Sequence, residues 1–489
     1  MSGLDRTVLE KHQVSRRVAL ATLSLSPAVL WAADDAVSPF LKGIYAPVAG
    51  EIADDKLQVE GKLPDHLHGS YLRNGPNPRF APKGKYHWFD GDGMVHAVHL
   101  APSDTKVPAR YLCRHVRTAG LEEEEKAGKS LFPGLMELPD LARVAKGRDG
   151  YKNAANTALV WHHNQLWALW EGGCPHRIDP KSLQTLGSDP LAGAWKGGFT
   201  AHPKVDSATG EMIFFGYSPT KPYLRLGILD KGGRLTAARD IDLPRSVMQH
   251  DFAITPDYAV FLDMPQTFSL ANLALGKGVF GWQPELGARI GLIPRAGGQA
   301  KWFAISPGSV FHTLNAWQTA QTVTLIACRM PRFPAEVLAG GATDLPEAER
   351  PRLWRYEINL TNSKVTEGPL DDPGSEMPRM REDRISLANR FAYTLRTDFA
   401  GWRKHDLVKN TTIALNLPAG WSGAEAVFVA TPGAPSEDGG HLLAFVQPPS
   451  GDPAQLWVID AASFSPDPVA RVKLPRRIPA GFHGCWVSS

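Results

Sequence analysis

Short apolar runs separated by turn residues recur along most of the chain, and this spacing constrains the fold more than any other feature. Each run has the length of one β-strand and is bounded by Gly, Pro, Asp or Asn. Gly (46) and Pro (40) are frequent among the 489 residues, which favours many turns over long helices. The pattern predicts an all-β protein, either a β-propeller or a large barrel. The clearest runs lie at residues 158–161, 166–170, 211–217, 258–262, 322–327 and 441–446.

One segment departs from this pattern. Residues 121–148 carry four consecutive glutamates, from Glu122 to Glu125, followed by scattered apolar residues such as Leu131 and Leu141. This composition predicts a helical or irregular segment that caps one face of the β-structure, with the acidic run exposed to solvent. No linker or low-complexity tract follows residue 36, so we expect residues 37–489 to form a single domain.

The first 36 residues resemble a twin-arginine export signal. Arg16 and Arg17 precede an apolar stretch that ends near Ala33 and is too short to remain in a bilayer as a span. Leu30 or Trp31 falls where signal cleavage prefers a small residue. We expect a leader at residues 1–36 and export to the periplasm. The alternative is a disordered leader on a cytoplasmic protein that associates with the membrane surface.

Charge and cysteine content exclude several classes of protein. The chain has 53 basic and 50 acidic side chains and a net charge of +3, which argues against a general nucleic-acid-binding surface. The four cysteines lie far apart and form no C-x-x-C pair, which argues against a zinc site or a disulfide framework. These cysteines are Cys113, Cys174, Cys328 and Cys485.

Four of the sixteen histidines lie in apolar or tightly turned contexts near predicted strand ends. Taken singly, each is more often a hydrogen-bonded structural residue than a metal ligand. No pair has the i, i+4 spacing of a helical zinc site, so the spacing alone does not assign a function. In a propeller, dispersed residues can nevertheless converge on the central axis when different blades contribute them. The four are His202, His250, His312 and His483.

Ordered motifs connect these histidines to a known family. Residues 69–78 read GSYLRNGPNP, residues 86–96 read YHWFDGDGMVH, and residues 43–48 read GIYAPV. With the four histidine contexts in the same order, they resemble the carotenoid cleavage oxygenases, most closely the plant-type dioxygenase branch. The resemblance runs from about residue 40 to the C-terminus. It implies a seven-bladed β-propeller with a helical and loop cap over an iron centre.

The resemblance also implies the site. The four histidines would bind Fe²⁺, which suits neutral imidazole ligands, and would leave coordination positions for O₂. Three glutamates, Glu171, Glu376 and Glu425, would accept hydrogen bonds from the outer ring nitrogens. Thr157 matches a residue that projects a methyl group near an open iron position. No further catalytic side chain is expected, and Asp90 and Asp92 are interpreted as structural, with Gly91 and Gly93 supplying turn geometry.

The expected substrate is an apolar polyene, cleaved with O₂ at a conjugated C=C bond to give two carbonyl products. Stilbene-cleaving relatives hold their phenol with a Lys and a Tyr, and this chain has Trp170 and Leu135 at those places. This difference favours a carotenoid or apocarotenoid. A stilbene dioxygenase, an iron-dependent isomerase and a non-catalytic ligand-binding propeller remain alternatives.

Residues 266–282 predict a surface for peripheral membrane contact. In relatives this region helps to form an apolar patch around the tunnel mouth, and an amphipathic segment with Lys277 and Trp282 suits a bilayer interface, where carotenoids reside. The alternative is an ordinary buried helix. No nucleic-acid partner is expected, and we expect a monomer.

Overall fold

The computed structural model describes residues 38–489 except for 103–104, 189 and 336–344. The expected leader at residues 1–36 lies outside the described residues. Residues Ser38–Ser489 belong to one compact unit. The described α-helices are short: α1 (Ala119–Ala127), α2 (Leu141–Val144) and α3 (Leu270–Ala274).

The β-strands follow one another at short intervals. The first nineteen are β1 (Ile52–Asp54), β2 (Val59–Gly61), β3 (Gly69–Arg73), β4 (Met94–Leu100), β5 (Ala109–His115), β6 (Ala158–His162), β7 (Gln165–Leu169), β8 (His176–Ile178), β9 (Thr185–Ser188), β10 (Lys204–Val205), β11 (Met212–Tyr217), β12 (Leu224–Leu229), β13 (Leu235–Ile241), β14 (Ala253–Ile254), β15 (Tyr258–Asp263), β16 (Gln266–Phe268), β17 (Phe280–Trp282), β18 (Ala288–Pro294) and β19 (Lys301–Ile305). The remainder are β20 (Ser309–Gln318), β21 (Thr322–Met330), β22 (Arg352–Asn359), β23 (Val365–Pro369), β24 (Ser375–Arg379), β25 (Phe391–Arg396), β26 (Gly401–Asp406), β27 (Thr411–Asn416), β28 (Ser422–Gly423), β29 (Val427–Ala430), β30 (Gly440–Gln447), β31 (Gln455–Asp460), β32 (Ala470–Lys473) and β33 (Gly484–Ser488).

Seven antiparallel sheets form the blades of a β-propeller, which confirms the predicted fold. Five blades are built from strands close together in the chain: β6–β9, β10–β13, β14-β15-β18-β19, β20–β23 and β24–β27. The hairpin β16-β17 and helix α3 form an insertion in the third of these blades. The other two blades combine strands from both ends of the chain.

Both ends of the chain help to close the ring, and each end adds a strand to a blade formed mostly by the other. Strand β33 pairs antiparallel with β3, with Arg73 opposite Gly484, and completes the blade β33-β3-β4-β5-β1. Strand β2 pairs with β32 and completes the blade formed by β28 to β32. Closing the ring at both ends protects strand edges that would otherwise be free to pair with another chain.

Apolar side chains between neighbouring blades form the core. Phe199 and Phe214 stack at 4.3 Å between ring centroids, and Tyr393 and Phe428 stack at 5.7 Å. Trp402 is fully buried, and its Nε1 donates to the carbonyl oxygen of Ala424 at 2.8 Å. Burial of a large side chain contributes about 2–3 kcal/mol, so these contacts hold the blades in a fixed angular order.

The strand-length runs predicted from the sequence all lie within or across observed strands; residues 158–161, for example, lie in β6 and 258–262 in β15. The segment at 121–148 contains α1 and α2, as expected. The expectation of a wholly solvated acidic run is wrong for Glu124, which is 1% exposed and binds the Lys152 ammonium at 2.7 Å. Glu124 is buried because Lys152 neutralises it.

The turn motif at residues 90–93 is structural, as interpreted. Asp90 accepts from the backbone N–H of His87 at 2.8 Å, and Asp92 from that of Arg79 at 3.0 Å. Its glycines serve close packing rather than unusual turn geometry: a Cβ at Gly93 would overlap the carbonyl oxygen of Ala155. Within the described residues, no helix is long and apolar enough to cross a bilayer.

Candidate metal centre

Each of the seven blades contributes one predicted site residue near the propeller axis. Four blades contribute a histidine: His202 and His250 precede β10 and β14, His312 lies in β20, and His483 precedes β33. The other three blades contribute a glutamate. Glu171 follows β7, Glu376 lies in β24, and Glu425 precedes β29. Six of these residues lie on or next to the innermost strand of a blade, and Glu171 follows the second strand of its blade. Residues spread over three hundred positions therefore meet because the blades are arranged in a ring around one axis.

The four imidazole rings face one another. The Nε2 atoms of His202 and His250 lie 3.1 Å apart, and those of His312 and His483 lie 3.2 Å apart. The ring centroid of His202 lies 5.1 Å from that of His312 and 4.6 Å from that of His483. Ligand nitrogens of His202, His250 and His312 all lie within 4.8 Å of one another, so one ion could bind them together.

Each of the three glutamates accepts a hydrogen bond from the outer nitrogen of one histidine. The Nδ1 atoms of His250 and His483 lie 2.8 Å from carboxylate oxygens of Glu171 and Glu425. The same contact between His312 and Glu376 measures 2.6 Å. A carboxylate acceptor fixes the proton on Nδ1, which leaves the Nε2 lone pair directed toward the axis.

This donor set fits a bound metal ion. Two imidazole nitrogens held about 2.1 Å from one ion at a right angle lie about 3.0 Å apart, close to both observed Nε2–Nε2 distances. Since His312 and His483 both carry their proton on Nδ1, their two Nε2 lone pairs face each other without a hydrogen between them. A cation on the axis would relieve this repulsion, and neutral imidazoles are ligands of the transition metals.

Burial and neighbouring charges set the protonation of several groups in the site. Burial would lower the pKa of His312, but the Glu376 carboxylate raises it above its ordinary value. Burial lowers the pKa of His202 well below its ordinary value, and the other three histidines lower it further. Burial would raise the pKa of Glu425, but Arg379 and His483 lower it to about 2. The His202 ring is therefore neutral and the Glu425 carboxylate charged near neutral pH.

Two supporting residues were not found by sequence reasoning. The Tyr217 hydroxyl donates to the second oxygen of Glu171 at 2.8 Å, and Arg379 Nη1 lies 3.7 Å from Glu425. The backbone N–H of Gly484 also donates to Glu425, at 2.9 Å. The position of Arg379 three residues after the predicted site residue Glu376 was the one available indication of its role.

Apolar side chains lie on one side of the metal centre. Phe311 contacts the His250 ring at 5.5 Å between centroids and packs with Phe333, Met136 and Met248 in one cluster. Thr157 contacts the last of the four histidines, because its carbonyl oxygen accepts from the backbone N–H of His483 at 3.1 Å. The structure thus places Thr157 beside the ligand set, while the role of its methyl group remains a prediction.

The two positions expected to distinguish substrate classes lie together. Trp170 and Leu135 line one small cavity of about 40 Å³, together with Phe89, Tyr86 and Tyr151. Trp170 directly precedes Glu171, so its side chain is carried by the same strand end as that carboxylate.

Comparison with known proteins gives one consistent result. The family described as retinal pigment epithelial membrane protein matches residues 45–488. A carotenoid 9,10(9',10')-cleavage dioxygenase of Phaseolus vulgaris is 34% identical and aligns over 92% of this chain and 89% of its own.

Two solved structures share the fold over nearly their whole length. The lignostilbene dioxygenase of Pseudomonas brassicacearum has a TM-score of 0.83 at 28% identity and covers 92% of this chain and 99% of its own. A mutant of the Synechocystis apocarotenoid oxygenase has a TM-score of 0.82 at 29% identity and covers 91% and 98%. The matched residues include all seven blades and the axial histidines, and the chain belongs to the retinal pigment epithelial membrane protein and carotenoid cleavage oxygenase family.

Proposed function

We propose that this protein is an iron(II)-dependent dioxygenase that cleaves a conjugated C=C bond of a carotenoid or apocarotenoid with O₂, giving two carbonyl products. The observation that carries the proposal is the convergence of four Nε2 lone pairs on one axis, with three of the rings fixed by carboxylates. Such a set suits Fe²⁺, which supplies O₂ activation when bound. His202, His250, His312 and His483 would hold the ion.

The chain's own residues bind and orient rather than transfer protons. Glu171, Glu376 and Glu425 hold three imidazoles in one tautomer, so the ligand nitrogens need no rearrangement when metal binds. Phe311, Met136 and their neighbours would position an apolar chain beside the ion and exclude water from it. We assign no general acid or base, because double-bond cleavage by O₂ requires no proton transfer from a side chain.

Two positions of the small cavity support a polyene over a phenol. Trp170 and Leu135 offer no charged or hydroxyl group at the places where stilbene-cleaving relatives hold their phenol, although Lys85, Tyr151 and Lys152 also line this cavity. Relatives of both substrate classes are similar to this chain, including the apocarotenoid oxygenase and the lignostilbene dioxygenase. Stilbene cleavage is therefore the second candidate, favoured by the similarity to the lignostilbene enzyme.

A substrate panel tests the proposal directly. The protein loaded with Fe²⁺ would be incubated with β-carotene, an apocarotenal and resveratrol under ¹⁸O₂, and the products analysed by mass spectrometry. We expect two labelled carbonyl products from the carotenoid or apocarotenal. Cleavage of resveratrol alone would replace the first candidate by the second. An unlabelled rearranged product would indicate an isomerase, and no product with any substrate would favour a binding protein.

We propose further that the segment 266–282 contacts a membrane surface. Leu270 is 81% exposed and Leu275 68% exposed on and beside helix α3, whereas Leu273 is buried, so α3 presents apolar side chains to solvent. Leu138, Leu141 and Val144 are also exposed, on and near helix α2. A Leu270→Ser, Leu275→Ser variant should bind lipid vesicles more weakly than the unmodified protein; equal binding would argue against this surface.

Export through residues 1–36 is a separate proposal, supported by the Arg16–Arg17 pair and the short apolar stretch that follows. Cell fractionation of the source organism, compared with an Arg16→Lys, Arg17→Lys variant, tests it. We expect periplasmic protein only with both arginines present. If the unmodified protein and the variant are both found in the cytoplasm, a leader that does not direct export would be favoured.

A further inference from the structure

A second space reaches the metal centre from the side opposite the apolar cluster. We call it the axial cavity; its volume is about 430 Å³, and its inner end is lined by His202, His312 and His483. Its lining also includes Ser207, Glu382 and Asp383, which are exposed to solvent. The axial cavity therefore connects the ligand histidines with the surface.

The direction in which the strands run explains why different residues line the two sides of the proposed metal site. In β20, Phe311 precedes the ligand and belongs to the apolar cluster, whereas Leu314 and Asn315 follow it and line the axial cavity. The same order holds around His250: Met248 lies in the apolar cluster, and Ala253 lines the axial cavity. Successive residues of a strand advance by about 3.3 Å, so these strands run from the apolar side, past the metal centre, into the axial cavity.

The axial cavity carries an excess of negative charge. Its charged side chains are two cations and four carboxylates: Lys204, Arg379, Asp251, Glu382, Asp383 and Glu425. Lys204 pairs with Asp251 at 2.7 Å, Arg379 pairs with Glu382, and Arg381, just outside the lining, pairs with Asp383 at 2.9 Å. With Arg381 counted, four carboxylates still face three cations. A passage lined by net negative charge between low-dielectric walls raises the local concentration of cations.

The apolar side offers no such environment. Phe89, Met136, Phe311 and Phe333 present no oxygen or nitrogen ligand to an ion that gives up its water. Moving a divalent cation through an apolar space without replacement ligands is strongly unfavourable. A polyene and a hydrated metal ion therefore suit opposite sides of the same centre.

We propose that the axial cavity is the loading route for the divalent metal ion, with Glu382 and Asp383 as the carboxylates that first attract it. The proposal rests on the metal-binding function inferred above. Arg379 lies between the outer Glu382 and the inner Glu425, contacting the first and lying 3.7 Å from the second. A cation entering from the surface would pass the exposed carboxylates and then the Arg379 guanidinium, whose positive charge Glu382 and Glu425 offset, before it reaches His483.

The rate of metal uptake tests the route separately from the site. Metal-free protein would be mixed with Fe²⁺ under anaerobic conditions at low salt, and bound iron measured over time after rapid desalting. A Glu382→Gln, Asp383→Asn variant should load about tenfold more slowly than the unmodified protein yet reach the same final iron content. A Glu382→Lys, Asp383→Lys variant should load more slowly still, and added salt should reduce both differences.

A matched control carries Asp240→Asn and Asp467→Asn, which remove the same charge at exposed positions away from the axial cavity. This control should load at the unmodified rate. Unchanged rates in both Glu382 and Asp383 variants would overturn the route, as would a fall in final iron content equal to the fall in rate. Failure of the unmodified protein to bind iron would instead contradict the proposed function.

Discussion

The Nε2 atoms of His312 and His483 face each other at 3.2 Å although, when both rings are neutral, neither has a proton there to share. Glu376 and Glu425 hold the protons of the two rings on the opposite nitrogens. Two lone pairs at this separation repel, so the arrangement lowers its free energy when a cation binds between them. The site is thus preorganised for the proposed ion, because the blades that carry the carboxylates hold the rings in place.

Removal of one ligand should release the ion. We expect His483→Ala and His250→Ala each to weaken iron binding by more than about a hundredfold, beyond the effect typical of a supporting residue, with activity lost in parallel. Iron content measured by atomic emission, together with turnover, checks this. His163→Ala, at an exposed position, serves as the control. Retention of both iron and activity in the ligand variants would overturn the assignment.

Glu171 and Glu425 should contribute differently to the iron affinity because their surroundings differ. Glu425 is 2% exposed and also accepts from the backbone of Gly484, whereas Glu171 is partly exposed. We expect Glu171→Gln to weaken iron binding about tenfold and Glu425→Gln about a hundredfold. Titration of metal-free protein with Fe²⁺ measures both affinities. The reverse order would mean that burial does not set the strength of this support.

Tyr217 offers a finer test of the same support. Its hydroxyl is the donor that holds the second oxygen of Glu171, and burial raises the pKa of Tyr217 well above its ordinary value, so the hydroxyl keeps its proton. Tyr217→Phe should weaken iron binding by about fivefold, corresponding to the loss of about 1 kcal/mol from one hydrogen bond. An affinity equal to that of the unmodified protein would remove Tyr217 from the site.

Substrate choice should respond to Trp170 and Leu135. A Trp170→Lys, Leu135→Tyr variant places a cation and a hydroxyl in the cavity, and we expect its ratio of resveratrol to carotenoid turnover to rise at least about tenfold. A Trp170→Leu, Leu135→Phe variant changes the side-chain size at the same two positions without adding a polar group. It should leave the ratio of resveratrol to carotenoid turnover low. Equal ratios in the two variants would show that other residues select the substrate.

Acid should destabilise the fold through buried neutral histidines. Burial, with a smaller contribution from Arg403, lowers the pKa of His405 to about 3, while the unfolded residue titrates near 6.5. The folded state therefore binds fewer protons than the unfolded state between these values, and stability falls as pH decreases below 6.5. Between pH 6.5 and 5, His405 alone should cost about 2 kcal/mol in the free energy of unfolding.

Urea unfolding at the two pH values, on the unmodified protein and His405→Gln, measures this contribution. The variant should lose less stability on acidification, even if it is less stable at pH 7 because Gln replaces a ring that bonds Thr394 and Thr412. An identical pH dependence in both proteins would show that His405 does not titrate on unfolding.

Much of the fold followed from local pattern. Runs such as residues 322–327 have strand length and β-branched content, and β21 contains them. Blade number did not follow, because blades are defined by pairing across the chain: β33 and β2 join blades formed hundreds of residues away. The pattern of apolar residues indicates where a strand lies but not which strand it pairs with. The prediction of seven blades therefore came from the family resemblance.

The site was predictable only in part for a similar reason. Each of the four histidines, taken alone, is more often a structural residue than a metal ligand, and only the order of the motifs pointed to a set of four ligands. Tyr217 and Arg379 escaped prediction because their importance depends on what lies opposite them in another blade. The solvated interpretation of Glu124 failed because its partner, Lys152, lies 28 residues away, beyond the range of local charge patterns.

The most direct test of the account is the iron coordination of the unmodified protein. Metal-free protein would be incubated anaerobically with Fe²⁺, desalted, and examined by metal analysis and X-ray absorption spectroscopy. We predict one iron per chain with four imidazole nitrogens in its inner sphere, and loss of this signal in His312→Ala. Protein that retains no iron, or iron bound through oxygen ligands alone, would contradict the central claim.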